Sequence, residues 1–233
     1  MDWRRFFLRQ YAGLALGFWL GVGCVQGPAE AEWPLAAPVL GQVDTATIDA
    51  CMVCHSTREM QRGPVLDGLP EWYLTEQLRN FKSGHRGKNP ANRAEALMGS
   101  AMAKVETEAQ LAALARHFAE RKPQPYIRVV RGNIAIGKAY YATRCASCHG
   151  VKGEGKPEIK SPPVNVQEDW FLLDQLRKYS NGQRSVHPSD ASGLVMKAAL
   201  AGLSPGDFQN MAAYIARDLT VTPPLQKVGP PKK

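Results

Sequence analysis

Two cysteines framing two residues and followed at once by a histidine occur twice, as Cys51-Met52-Val53-Cys54-His55 and Cys145-Ala146-Ser147-Cys148-His149. In such a C-x-x-C-H run the thiols lie three positions apart on one turn of helix. They match the separation of the two vinyl carbons of haem and carry the next residue beneath the metal. Each motif must therefore be a short helix opening onto its own apolar crevice. A lone C-x-x-C would also fit a redox dithiol or half of a zinc site, but zinc needs a second ligand pair working with the first. Here each pair ends in its own histidine. The residues read as two covalently attached haem c groups, held by Cys51, Cys54, Cys145 and Cys148, with His55 and His149 as proximal iron ligands.

Around these motifs the chain repeats itself. Glu71-Trp72-Tyr73-Leu74-Thr75-Glu76-Gln77-Leu78-Arg79 aligns with Asp169-Trp170-Phe171-Leu172-Leu173-Asp174-Gln175-Leu176-Arg177 at an offset of 98 positions. The same shift takes Pro64 to Pro162, Gly84 to Gly182, Arg86 to Arg184 and Met98 to Met196. The motifs themselves are 94 apart, so the second copy gained four residues between motif and proline. A repeat of this length is a duplicated folding unit, and 233 residues suffice for two small units. Periodicity predicts an all-α fold. Each unit has a helix bearing the motif, a proline loop, and an amphipathic helix (Trp72 to Phe81; Trp170 to Tyr179). A Gly-rich polar loop carrying the methionine follows, then a last helix (Ala109 to Glu120; Pro205 to Leu219). The prolines of Arg121-Lys122-Pro123-Gln124-Pro125 mark the linker. The expected division is 1–31 as signal peptide or N-terminal anchor, 32–122 and 123–219 as two domains, and 220–233 as a Pro-rich basic tail.

With histidine on one face of each iron, the other face decides the chemistry. Methionine gives a closed, high-potential electron carrier, a second histidine a lower potential, and an open position ligand or peroxide chemistry. Met98 and Met196 hold equivalent places in the repeat and are the expected axial ligands. Met102, which aligns with Leu200, and Met211 read as core filler, and Met52 and Met60 as packing. His85 and His187 fall at non-equivalent places in the polar loops, and His117 aligns with Tyr214 on the last helix, so none is expected on iron. The carbonyls of Pro64 and Pro162 are expected to accept the proximal imidazole N–H and fix its orientation.

The formal net charge is +8, yet no basic run with interleaved aromatics is present, so a nucleic-acid partner is not expected. Arg4, Arg5 and Arg9, the apolar run Ala12 to Val25 and the small-x-small Ala29-Glu30-Ala31 read as an export signal cleaved before Glu32. The rival is an uncleaved anchor associated with the inner membrane, although the run is short for a full span. Cys24 is the one thiol outside the motifs, a usage that suits an oxidising compartment such as the periplasm.

The halves resemble class I cytochrome c domains, and their tandem arrangement is similar to the dihaem cytochrome c4 family. That resemblance is carried by Pro64-Val65-Leu66-Asp67-Gly68, Tyr73-Leu74-Thr75-Glu76-Gln77-Leu78, Gly84-His85-Arg86 and Met98. In the second copy, Phe171-Leu172-Leu173-Asp174-Gln175-Leu176, Gly182-Gln183-Arg184 and Met196 keep the order. The resemblance implies an electron carrier, not an enzyme, passing electrons between a membrane quinol-oxidising complex of a respiratory chain and a terminal oxidase or other redox enzyme. An alternative is a membrane-anchored cytochrome subunit of a larger dehydrogenase or oxidase complex. A catalytic dihaem cytochrome would need an unusually ligated iron, which two equivalent methionines argue against. The copies differ around the haem: Ser56 stands where Gly150 does, and Pro163-Val164-Asn165-Val166 lacks the glycine of the first proline loop. The helix before the motif is clear in the second copy (Ile134 to Thr143) and poorly marked in the first. Unequal haem potentials are therefore expected.

Overall fold

A computed structural model describes residues 43–56 and 61–222. The expected signal or anchor (1–31) with Cys24, the side chain of Met60 and the tail beyond 222 lie outside the described residues. Among the described residues every element is helical; a single Lys156–Ser161 bridge is the nearest approach to a strand. No described helix is long and apolar enough to cross a membrane.

In the first half, α1 (Thr45–His55) begins at Asp44, whose carboxylate accepts the Thr47 backbone N–H at 2.7 Å, and its last residue is the motif histidine. Helix α2 (Glu71–Ser83) buries Leu74, Leu78 and Phe81, one face of a 3.6-residue period, and stops where Gly84 turns left-handed at φ 81°. Helix α3 (Arg93–Met102) follows. Helix α4 (Glu108–Ala119) starts at a reciprocal cap in which Thr107 and Gln110 satisfy each other's backbone N–H. Leu111, Leu114, Ala115 and Phe118 of α4 pack against α2 to form the first core. Each leucine or phenylalanine taken fully out of water there contributes roughly 1.5–3 kcal/mol.

The second half repeats the plan. Helix α5 (Ile134–Tyr140) widens into a π turn (Tyr141–Cys145) and continues as α6 (Ala146–His149). Helices α7 (Asp169–Ser180), α8 (Ala191–Ala199) and α9 (Pro205–Tyr214) correspond to α2, α3 and α4, and α9 carries the same reciprocal cap through Ser204 and Asp207. Leu173, Leu176, Tyr179, Phe208 and Met211 form its core. Helix α5 crosses α9 so closely that a Cβ on Gly137 would collide with the Asn210 carbonyl, so glycine is required by contact rather than by conformation.

One expectation needs correction. Met98 and Met196 are not in the polar loops but inside α3 and α8. The reason lies in Asn92 and Asp190, which are equivalent in the repeat and look like loop residues. Both are N-caps, Asn92 accepting the Glu95 N–H at 3.3 Å and Asp190 the Gly193 N–H at 3.1 Å.

Candidate functional site

In the second half the end of the π turn and α6 together present Cys145, Cys148 and His149 along one short stretch of helix. Nδ1 of His149 lies 2.8 Å from the Pro162 carbonyl oxygen and 3.1 Å from Ser161 Oγ. A carbonyl can only accept, so Nδ1 carries the proton and Nε2 is left with its lone pair free. In the first half His55 Nδ1 lies 2.7 Å from the Pro64 carbonyl, which fixes the same tautomer. Burial pushes both imidazolium pKa values below the ordinary 6.5. The proline carbonyls oppose this in both, and the Glu168 charge opposes it further at His55. Both rings are thus neutral, oriented donors, as an iron ligand must be.

A cavity of about 300 Å³ opens beside this histidine, and Cys145, Cys148, His149 and Met196 all line it. In the first half Cys51 and Met98 both pack on the α2–α4 core, and a smaller cavity of about 130 Å³ adjoins His55 between Met52 and Arg121. Met102 and Met211 are buried in the cores, as core filler should be. His117 sits edge-on to Phe118 on α4. His85 and His187 are stacked on one another, with ring centroids 4.3 Å apart.

The Gly-x-Arg turns acquire a structural meaning that their motif alone did not reveal. Gly84 and Gly182, both at positive φ, fold the chain back at the end of α2 and α7. Arg86 thereby lies 4.3 Å over the Phe81 ring and bonds Gln77 and Glu95; Arg184 lies 4.4 Å over Tyr179 and bonds Gln175. The arginine, the aromatic and the glutamine recur at the repeat offset, whereas Glu95 meets Gly193. A second nitrogen of Arg184 reaches across to Gln77 of the first half at 3.3 Å. Both guanidinium groups are buried, and both keep an Nε with no partner. Arg184 lines the same cavity as His149.

These features fit haem c. The cavity lies within the usual range for a small-molecule site, it contains both thiols and a thioether, the imidazole is held by its far nitrogen, and the buried Arg184 guanidinium on its wall keeps one unpartnered Nε–H, a donor suited to a propionate. At Gly63 a Cβ would lie 2.7 Å from His55 Cε1, so the chain passes against the ring where only glycine has room. Sequence reasoning missed Gly63, Ser161, Gln77 and Glu168. Gln77 alone left a signal, its recurrence as Gln175; the others act through loop contacts that follow no period.

Thiol pairs and oriented imidazoles on helical turns, repeated in two helical halves, define a c-type cytochrome with the class I fold. The family model for cytochrome c matches residues 134–217. Cytochrome c4 of Azotobacter vinelandii is 25% identical over 205 residues, 82% of this chain and 92% of that one. A thiosulfate dehydrogenase electron acceptor from Thiomonas intermedia is 29% identical over 209 residues, covering 84% of this chain and 87% of its own length. Cytochrome c-554(547) of Halothiobacillus neapolitanus is 32% identical over 89 residues, 36% of this chain and 96% of that one. The chain belongs to the cytochrome c family, as a dihaem cytochrome of the cytochrome c4 kind with covalently bound haem c, and it is an electron-transfer protein.

Proposed function

We propose that the chain is an exported, periplasmic dihaem carrier in which His55 with Met98 and His149 with Met196 are the axial pairs of two domains, 32–122 and 123–219. The observation that carries this reading is the second-half cavity, lined at once by Cys145, Cys148, His149 and Met196. Haem c, when bound, supplies a one-electron iron couple. The protein supplies the rest. The cysteines fix the group covalently, the proline carbonyls hold each imidazole in its donor tautomer, and the buried cores keep water from the ligands. Met98 and Met196, as the second ligands, would close each iron to exogenous ligands, as an electron carrier rather than a catalyst requires.

The relative named as an electron acceptor of thiosulfate dehydrogenase, matched along most of both chains, favours a thiosulfate-oxidising enzyme as the donor. A quinol-oxidising complex is the second donor class, and a terminal oxidase or other redox enzyme the acceptor. Anaerobic mixing of the oxidised protein with each donor and its substrate separates them. Rapid reduction by the thiosulfate-oxidising enzyme supports the first reading, reduction by the quinol-oxidising complex alone selects the second, and reduction by neither overturns the proposed role. The export reading predicts that native material has an intact mass beginning at Glu32. A mass that includes residues 1–31 would favour the anchored-subunit alternative.

A further inference from the structure

Pro64 and Val65 share one peptide group. Its carbonyl oxygen accepts from His55 Nδ1 at 2.7 Å, and its N–H, on Val65, donates to Oε2 of Glu168 at 2.8 Å. Glu168 belongs to the second half, where it holds the N-cap position of α7 with no side-chain cap bond; the residue is buried, only 4% exposed, and its carboxylate lies against the first-half proline loop. The Gln61 side-chain amide donates to both of its oxygens, at 2.9 and 2.8 Å, and also to the Gly63 carbonyl. Every partner of the carboxylate is thus an N–H donor, the set that an acceptor at both oxygens satisfies. The result is a chain of hydrogen bonds from a buried acid in one half, through a peptide, to the proximal imidazole of the other.

The second half has no counterpart. At the repeat offset Glu168 corresponds to Pro70 and Val65 to Pro163, so both the acid and the N–H are missing. His149 instead has the Ser161 hydroxyl at 3.1 Å, where the first half has Gly63. The two imidazoles are therefore held by the same carbonyl contact in electrically different settings.

We propose that Glu168 is a positioning residue for the first haem. By polarising the Pro64–Val65 peptide it makes that carbonyl a stronger acceptor, raises the electron-donating character of His55, and lowers the reduction potential of the first site selectively. Two effects share this sign. Bonds in a chain strengthen one another by roughly 10–30% each in a low-dielectric interior, and a stronger acceptor on the far nitrogen raises ligand basicity. A buried negative charge also favours the oxidised, more positive iron. The hydrogen-bonded route ends at His55, and the second site has no equivalent of it.

The inference rests on His55 being the first iron's ligand. Its test compares Glu168→Gln, which keeps size and removes charge, with Glu168→Asp, which keeps the charge. In potentiometric titrations of the full holoprotein, E168Q should raise the first-site potential by up to about tenfold in the reduction equilibrium, 59 mV for one electron. The second-site potential should stay, and E168D should recover part of the difference. The paramagnetically shifted ring-proton resonances of His55 should move in E168Q while those of His149 remain. Equal shifts at both sites, or none at the first, would overturn the role of Glu168. Changing Met98 and Met196 separately identifies which potential is which. If those changes leave both methionine signatures intact, the ligand assignment itself has failed, a result distinct from an inert E168Q.

Discussion

At the scale of single residues the site is built from short reaches of fixed sense. Each proximal histidine ends a helix and turns its far nitrogen to a proline carbonyl, so one backbone oxygen decides tautomer, orientation and basicity together. Met98→His and Met196→His should each remove one methionine-to-iron charge-transfer band and lower one of the two potentials. Survival of both bands in either variant would refute the axial assignments. The C-x-x-C-H motifs were legible because covalent attachment imposes a spacing and duplication repeats it, and the same duplication singles out Met98 and Met196. The proline carbonyl contacts were legible too, since each proline holds the same place in both copies. Glu168 was not, because it touches the first proline loop from the far half and its own repeat position holds a proline. Ser161 was equally silent, its counterpart being the glycine that passes against His55.

At the scale of elements, the helices follow their caps and apolar periods. The amphipathic helices expected at Trp72 to Phe81 and Trp170 to Tyr179 are α2 and α7, each slightly longer than expected. The methionine segments look like loops in the sequence because Asn92 and Asp190 are loop-favouring residues until their side chains cap the next turn. The crossing of α5 and α9 is tighter than any period reveals. Gly137→Ala should destabilise the holoprotein by about 1–3 kcal/mol through overpacking against Asn210, measured as a lowered denaturant midpoint. No change there would mean that the crossing relaxes freely.

The cap of α9 predicts a pH effect of known sign. The Ser204 backbone N–H, and after it the Ser204 hydroxyl, hold the Asp207 carboxyl below its ordinary 3.8. A depressed folded value means that the contribution is complete above 3.8 and is lost as pH falls through the folded value. Thermal midpoints of the wild type should therefore fall more steeply below that pH than those of Asp207→Asn. Parallel curves would remove the carboxylate from the account of the cap.

At the scale of the whole molecule, the described residues of the two copies meet through many polar groups, with Val166 of the second packed against the apolar core of the first. Asn89 donates to the carbonyls of Gly182 and Gln183, Gln183 donates to Ala91, Ser192 donates to Glu76, and Arg184 reaches Gln77. With the His85–His187 stack and the Glu168 tether, these contacts bring the polar loops of both halves together. The duplication was visible as an offset, whereas this joining was not, since pairing between loops of different copies leaves no periodic trace. A carrier assembled in this way should take up one electron at each of two unlike centres. The most direct test is a spectroelectrochemical titration of the full holoprotein that counts electrons and follows the methionine-to-iron band. The account predicts two electrons per chain, taken up in two distinguishable one-electron steps from two methionine-ligated centres. Uptake of a single electron per chain, or two steps without methionine bands, would contradict it.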